Sequence, residues 1–298
     1  MGVISPVGND VNTFWSNLCD GVCGIDYIKS FPTDNLPVGI AGIIKDFKAE
    51  EYGMDKPFIR KQDLFTQYGV AAAYQAMRQS GLSSKGEDKN IDPFRLGVYF
   101  GSGIGGFATQ YREISKMIED PSGQWISPLF IPTMISNIAA GHIAILHNAQ
   151  GPCLDIVTAC ATSTNAMGEA FRAIRNGYAD AIITGGCENA TIPIGIVGFA
   201  NAKALSRATD PNYASLPFNG NRAGFVMADG SAALVLEEYE HAKARGAQII
   251  GEMVGYGNTC DAYHSTAPRP DGTTQAKCIE LALEEAGFDK EKDNLYIN

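Results

Sequence analysis

The stretch most able to do chemistry is residues 154–177, LDIVTACATSTNAMGEAFRAIRNG. It opens on a short apolar, β-branched run, Leu154-Asp155-Ile156-Val157, and turns through the small residues Thr158-Ala159-Cys160-Ala161. From Thr162 onward, Ala166, Ala170, Phe171 and Ile174 recur at three- and four-residue spacing, which predicts a helix stopped at Gly177. Cys160 is therefore expected where a buried strand becomes a helix. There the positive end of the helix dipole favours thiolate over thiol. The free N–H groups can receive an oxyanion when that thiolate attacks a thioester carbonyl. This is the arrangement of a nucleophile elbow with sulfur in place of oxygen. The competing reading is a packed thiol, since free cysteines are among the most buried residue types.

Other candidates are weaker. The strand-like LGVYF (96–100) runs into Gly101-Ser102-Gly103-Ile104-Gly105-Gly106. This turn lacks the Lys-Ser/Thr of a phosphate loop and the later acidic residue of a dinucleotide fold. Its glycines read better as letting backbone approach another segment closely. Cys19 and Cys23 have no second pair at ligand spacing, and His142 and His147, five residues apart, point to different helix faces. No metal site follows from either. Lys56, Arg60 and Lys61 form a small basic group in DKPFIRKQDLF. By sequence alone it reads as a solvated helix start, with a docking patch for an acidic partner as the alternative.

The elements that must position these residues alternate. Helices are predicted over Val11–Gly21, Gln62–Ser80 (apolar stripe Leu64, Phe65, Tyr68, Ala72, Met77), Phe107–Glu119, Ile135–His147, a basic stretch from Glu240 and Thr273–Gly287. Strands are predicted at Leu96–Phe100, Leu154–Val157, Ala179–Gly186, within Phe225–Glu238, at Ile249–Tyr256 and at Leu295–Ile297; Gly2–Gly8 reads as a loop. That alternation predicts an α/β protein with largely parallel strands. Gly246 marks a boundary between residues 1–246 and 247–298. With 298 residues and 45% hydrophobic composition the chain can bury a large core. A net charge of −10 argues against nucleic acid and anionic membrane as partners. No apolar run reaches membrane-spanning length, and the N-terminus lacks an export signal. Seven cysteines at irregular spacing then suit a reducing cytoplasm better than a disulfide framework.

Taken in order, Gly101–Gly106, Ala140-Gly141-His142, Gly151-Pro152, Thr158–Thr162, Gly185-Gly186-Cys187-Glu188, Arg222–Val226, Leu234–Arg245 and Asp261–His264 point one way. The chain resembles the β-ketoacyl-[acyl-carrier-protein] synthases, most closely the type II elongating condensing enzymes, over nearly its whole length. The resemblance implies a thiolase-like, layered α-β-α-β-α fold, a homodimer and no cofactor. It implies acyl transfer from acyl carrier protein onto Cys160, then decarboxylative condensation with the malonyl form. It also implies that Ile104 and Phe199 line the acyl pocket, that Thr266 lies near the pantetheine arm, and that Arg60, Lys61 and Lys203 meet the carrier protein. The sequence departs from the family in Asn219, Ala223 and Ala228-Asp229-Gly230. On this reading the chain is truncated at both ends, with the first half nearly complete and the second cut short. It stops before the motifs that carry the family's catalytic histidines, so these 298 residues alone are expected to fail at condensation. Alternatives are a non-catalytic paralogue or fragment that binds carrier protein, a polyketide ketosynthase, or chemistry on coenzyme A thioesters. Retention of Cys160 favours an enzyme.

Overall fold

β4 (Leu96–Gly101) is buried along all six of its residues. In chain order the strands are β1 (Gly2–Ile4), β2 (Ile25–Tyr27), β3 (Ile40–Gly42), β4, β5 (Cys153–Leu154), β6 (Ala181–Glu188) and β7 (Gly230–Glu237). The helices are α1 (Val11–Cys19), α2 (Lys56–Lys61), α3 (Leu64–Ser80), α4 (Phe107–Glu119), α5 (Phe130–Met134), α6 (Ile138–His147), α7 (Thr162–Arg175), α8 (Pro193–Asn201), α9 (Tyr239–Ala244) and α10 (Thr273–Glu285). These come from a computed structural model that describes residues 1–298. The chain divides into two units, Met1–Ala247 and Gln248–Asn298.

In the first unit the strand order is β1-β7-β6-β4-β5. β4 runs parallel to β5 and β6, whereas β7 is antiparallel to both β6 and β1. The expectation of a largely parallel sheet is thus half right. β6 and β7 are joined at one end of the sheet, where Glu188 pairs with Gly230, so no crossover is needed and the chain returns antiparallel. Successive side chains alternate between the two faces of each strand. Val98, Phe100 and Ile183 join the core under α3 and α6, while Tyr99 and Ile182 pack against α7.

α3 lies almost flat on the sheet because its contact residues are small. Ala71, Ala72, Ala73 and Ala76 are fully buried. A Cβ on Gly69 would reach Cys187 Sγ at 3.0 Å and Phe100 at 3.3 Å. Leu64, expected in the apolar stripe, is instead 42% exposed, since it is the first residue after the N-cap Asp63. The Asp63 carboxylate accepts from Thr109 N (2.8 Å) and Thr109 Oγ1 (2.7 Å), which ties the start of α3 to α4.

Three sequence expectations fail here for one reason, the availability of ladder partners. Gly2–Ile4 is a strand rather than loop because it pairs with Ser231–Ala233. Ile249–Tyr256 and Leu295–Ile297 have strand-like composition but no partner, and neither is a strand. In the second unit Gly255 and Gly257 lie directly on α10, where a Cβ would meet the carbonyls of Ala282 and Cys278. The fourth correction concerns Leu154–Val157. Only Cys153–Leu154 pairs, at the sheet edge, and Leu154 and Val157 are half-exposed rather than buried.

α4 leaves the glycine turn that follows β4, and Glu113 anchors it. This carboxylate is 1% exposed and accepts from Lys116 Nζ (2.9 Å), Arg112 Nε (2.9 Å) and Ser127 N (3.0 Å). Burial pushes its pKa up, but the hydrogen bonds from Lys116, Ser127 and Arg112 outweigh that and hold it at about 2. A depressed carboxylate pKa stabilises the fold above its unfolded value and loses that stabilisation as pH falls through the folded one. Glu113→Gln should therefore cost about 2 kcal/mol at neutral pH. In urea melts of both proteins the gap should narrow below the ordinary value of 4.5 and close near about 2. A gap that stays constant with pH would contradict this assignment.

Candidate active site around Cys160

The C-terminal ends of β4, β5 and β6 lie along one edge of the sheet, where parallel α/β sheets place their ligand crevices. Each contributes one segment. β4 runs into Gly101–Gly106, β5 leads to the Cys160 turn, and β6 ends on Glu188.

The Cys160 turn is a single 3-10 turn, Ala159–Ala161, set directly against α7. Ala159 has φ +51°, a left-handed conformation that a residue with a Cβ seldom adopts. Strain of this kind persists only where the surroundings hold it. Here Ala161 N donates to Thr158 O (3.1 Å), Thr158 N to Thr162 Oγ1 (2.9 Å) and Asn165 Nδ2 to Thr158 Oγ1 (2.9 Å). No side chain caps the start of α7, so its first N–H groups are not taken by a capping residue. Cys160 is exposed, and all seven cysteines are free thiols. The reading of Cys160 as a packed thiol is thereby set aside.

The glycine turn is what the sequence suggested, a device for close approach. A Cβ on Gly101 would stand 2.2 Å from Ile156 O and 2.3 Å from Thr162 Cγ2. On Gly186 of β6 it would stand 2.9 Å from Ser163 Cβ. On Gly103 it would meet Glu188 Oε2 at 2.9 Å and Ala159 O at 3.7 Å. Gly101 and Gly186 thus let the ends of β4 and β6 close on the segments that flank Cys160, while Gly103 faces the turn at ordinary contact distance.

Carboxylates that the sequence reading passed over brace the same edge. Glu188 accepts from Ser102 Oγ (2.9 Å) and Gly103 N (2.8 Å). Asp229 accepts from Asn189 Nδ2 (2.9 Å), Ala190 N (3.1 Å) and Thr191 N (3.1 Å), so the departure at Ala228-Asp229-Gly230 keeps its loop bonded. Asp155 accepts from Ser136 Oγ at 2.5 Å. Burial pushes all three carboxyls above their usual range. A charged residue closing a fully apolar strand, as Glu188 does, was the signal available in the sequence.

The remaining candidates fall at several places. Ile104 is partly exposed in the glycine turn, one residue from the Gly103–Ala159 approach. Phe199 sits on α8 edge-on to Phe225 at 5.5 Å. Arg60 and Lys61 are exposed in the last turn of α2, where cations suit the helix dipole. Lys203 is exposed just past α8 with φ +57°. Thr266 belongs to the second unit, where its N–H donates to His264 Nδ1 at 3.1 Å. The histidines of the first unit are engaged elsewhere. His142 stacks edge-on to Phe58 at 4.8 Å, and His241 Nδ1 lies 2.6 Å from Glu237. Burial pushes His147 down to about 4. A cavity of about 690 Å³ is lined by Asp10, Glu51, Tyr74 and Arg78 among others and includes none of the candidate residues.

Comparison with known proteins identifies the family. The family model described as "Beta-ketoacyl synthase, N-terminal domain" matches residues 1–242, and that for the C-terminal domain matches residues 250–296. The chain is 45% identical over 299 residues to 3-oxoacyl-[acyl-carrier-protein] synthase 2 of Vibrio cholerae, and 44% identical over 298 residues to that of Staphylococcus aureus. Each match covers 100% of this chain and 70% of the relative. Among solved structures, a type II polyketide ketosynthase in complex with its acyl-carrier protein superposes with TM-score 0.85 at 30% identity, over 97% of this chain and 68% of that one. A β-ketoacyl synthase from Burkholderia phymatum gives TM-score 0.85 at 28% identity, over 97% of this chain and 69% of that one.

The bracing can be tested without any substrate. Gly101→Ala should cost about 1–3 kcal/mol, because the new methyl displaces backbone rather than a flexible side chain. It should also change the rate at which iodoacetamide alkylates Cys160, followed by peptide mass spectrometry. Unchanged stability together with an unchanged alkylation rate would show that the close approach does not hold the turn.

Proposed function

Because the chain belongs to the β-ketoacyl synthase family, we propose that it takes an acyl chain from acyl carrier protein onto Cys160, the first half-reaction of 3-oxoacyl synthesis in fatty-acid elongation, and that these 298 residues alone do not complete the condensation. The observation that carries this reading is an exposed thiol on a strained turn at the head of a helix, with backbone closing on its flanks at Gly101 and Gly186. The Cys160 thiolate attacks the thioester carbonyl of the acyl carrier protein. The tetrahedral oxyanion is received by backbone N–H groups at the turn, that of Cys160 among them. The carrier's pantetheine thiolate then leaves and takes up the proton that Cys160 gave. One C–S bond forms and one breaks, so the exchange balances without a cofactor.

In the second half-reaction the malonyl thioester loses carbon dioxide, and its carbanion attacks the acyl-Cys160 carbonyl. Donors at the developing enolate oxygen are required there. His142 lies edge-on to Phe58 and His241 against Glu237, and the His147 ring is buried at the end of α6 with its Nε2 unpartnered.

Fatty-acid elongation is favoured over a polyketide role by the relatives, since 3-oxoacyl-[acyl-carrier-protein] synthases 2 stand at 43–45% identity and the polyketide ketosynthase at 30%. Arg60, Lys61 and Lys203 suit the acidic carrier protein. None is drawn into an ion pair, and a chain of net charge −10 needs such a local patch to meet an acidic partner. Ile104 and Phe199 are assigned to the acyl pocket and Thr266 to the pantetheine arm. A homodimer is supported by the open edge of β5 and by the exposed apolar residues Tyr111, Ile114 and Ile118 at helical spacing on α4. An exposed Cys160 favours acyl capture over a role confined to binding the carrier protein.

Incubation with radiolabelled acyl carrier protein should label the protein, and Cys160→Ala should abolish the label while leaving the melting temperature within a few degrees. Cys160→Ser should lose at least about a hundredfold in rate, because a serine hydroxyl is the weaker nucleophile at neutral pH. Label that persists in Cys160→Ala would place acyl capture elsewhere.

A further inference from the structure

Glu188 closes β6 with a partly buried carboxylate, and its hydrogen bonds run to one short loop. Ser102 Oγ donates to it at 2.9 Å, Gly103 N at 2.8 Å, and Ile104 N also donates. Ser102 Oγ in turn accepts from Gly105 N at 2.9 Å, so the carboxylate organises every residue from 102 to 105. No cation accompanies it. Burial pushes its pKa up, and the one neighbouring charge that acts on it, Asp229, pushes the same way. A carboxylate held in such surroundings is costly unless its hydrogen bonds are made. A single surface charge that merely ended a strand would have no reason to sit there.

Two further contacts give this carboxylate leverage over the reacting centre. Gly103 is the point where the loop touches the nucleophile turn, 3.7 Å from Ala159 O and 2.9 Å from Glu188 Oε2 as measured from the Cβ it lacks. Immediately after Glu188, residues Asn189, Ala190 and Thr191 are fixed by Asp229, so the carboxylate itself stands on a rigid base. Movement of Glu188 is thus transmitted to Ile104 on one side and to Ala159, next to Cys160, on the other.

We propose that Glu188 is a positioning residue that sets the distance between Ile104 and Cys160, and through it the acyl length that Cys160 accepts. This rests on reading Cys160 as the acyl acceptor and Ile104 as a pocket wall. Glu188→Gln is nearly isosteric and can keep its one acceptor oxygen on Gly103 N and Ile104 N, but its NH2 then faces Ser102 Oγ, which loses the acceptor it donated to. The charge and the Ser102 bond that hold the loop are both lost, and the loop is free to shift. A displaced wall changes discrimination between acyl lengths, at about tenfold or more for a hydrophobic pocket misfitted by one methylene. A general loosening of the fold would slow all lengths alike.

The test is acylation of Cys160 by a short-chain and a long-chain acyl carrier protein, read by intact-protein mass spectrometry for the unsubstituted protein, Glu188→Gln and Ser102→Ala. The expected result is a long-to-short rate ratio changed about tenfold in Glu188→Gln, and changed in the same direction but less in Ser102→Ala, which loses one of the bonds. An unchanged ratio in both variants overturns the proposal while leaving Cys160 as acceptor. Should Glu188→Gln not fold, an unchanged ratio in Ser102→Ala overturns it alone. No acylation of Cys160 in the unsubstituted protein removes the reading on which the proposal stands, and the proposal with it.

Discussion

No side chain fits between the ends of β4 and β6 and the turn that carries Cys160. Gly101 and Gly186 occupy those points because even a methyl group would overlap Ile156 O, Thr162 or Ser163. Much of the local architecture follows from that constraint. The small residues Ala159 and Ala161 flank the thiol, Ala159 is held at positive φ, and Thr162 is buried so that its hydroxyl can receive Thr158 N. Strain in the turn is tolerated because backbone closes on it from two sides. A more loosely packed junction would let Ala159 relax and the thiol fall back toward the core.

The same edge carries buried carboxylates with no cation bonded to them. Glu188 and Asp229 are satisfied by a hydroxyl, an amide and backbone N–H groups, whereas Asp155 accepts from Ser136 on Oδ2 and leaves Oδ1 without a partner. Hydrogen bonds of this kind fix direction better than an ion pair does, because each donor has a defined geometry. Glu188 and Asp229 together hold both sides of the point where β6 gives way to loop. The sheet edge is rigid where chemistry needs precision, and the exposed thiol stands at its rim.

How much of this the sequence carried depends on whether the cause was local. The helix over 162–175, the helix over 107–119 and the strand from Leu96 were legible because periodicity, caps and glycine stops are written within each segment. The role of the glycine turn was legible as well, once a phosphate loop had been excluded on residue type. What was not legible depends on partners distant in the chain. Gly2–Ile4 becomes a strand only through residues 231–233, and Ile249–Tyr256 fails to become one for want of any partner. The run Leu154–Val157 has the composition of a buried strand, yet nothing in composition separates a buried strand from an edge strand with exposed apolar residues. Glu188 and Asp229 look like surface charges until the fold brings Ser102, Gly103 and Thr191 to them.

The central claim is that this clamped turn presents Cys160 to an acyl thioester with backbone N–H groups ready for the oxyanion and the acyl chain directed past Ile104. A crystal structure of the protein after reaction with an acyl carrier protein tests it most directly. The account predicts continuous density from Cys160 Sγ, with the thioester carbonyl oxygen within hydrogen-bond reach of the Cys160 N–H and the chain running along Ile104. Density on a different cysteine, or a chain lying out in solvent away from Ile104, would contradict it.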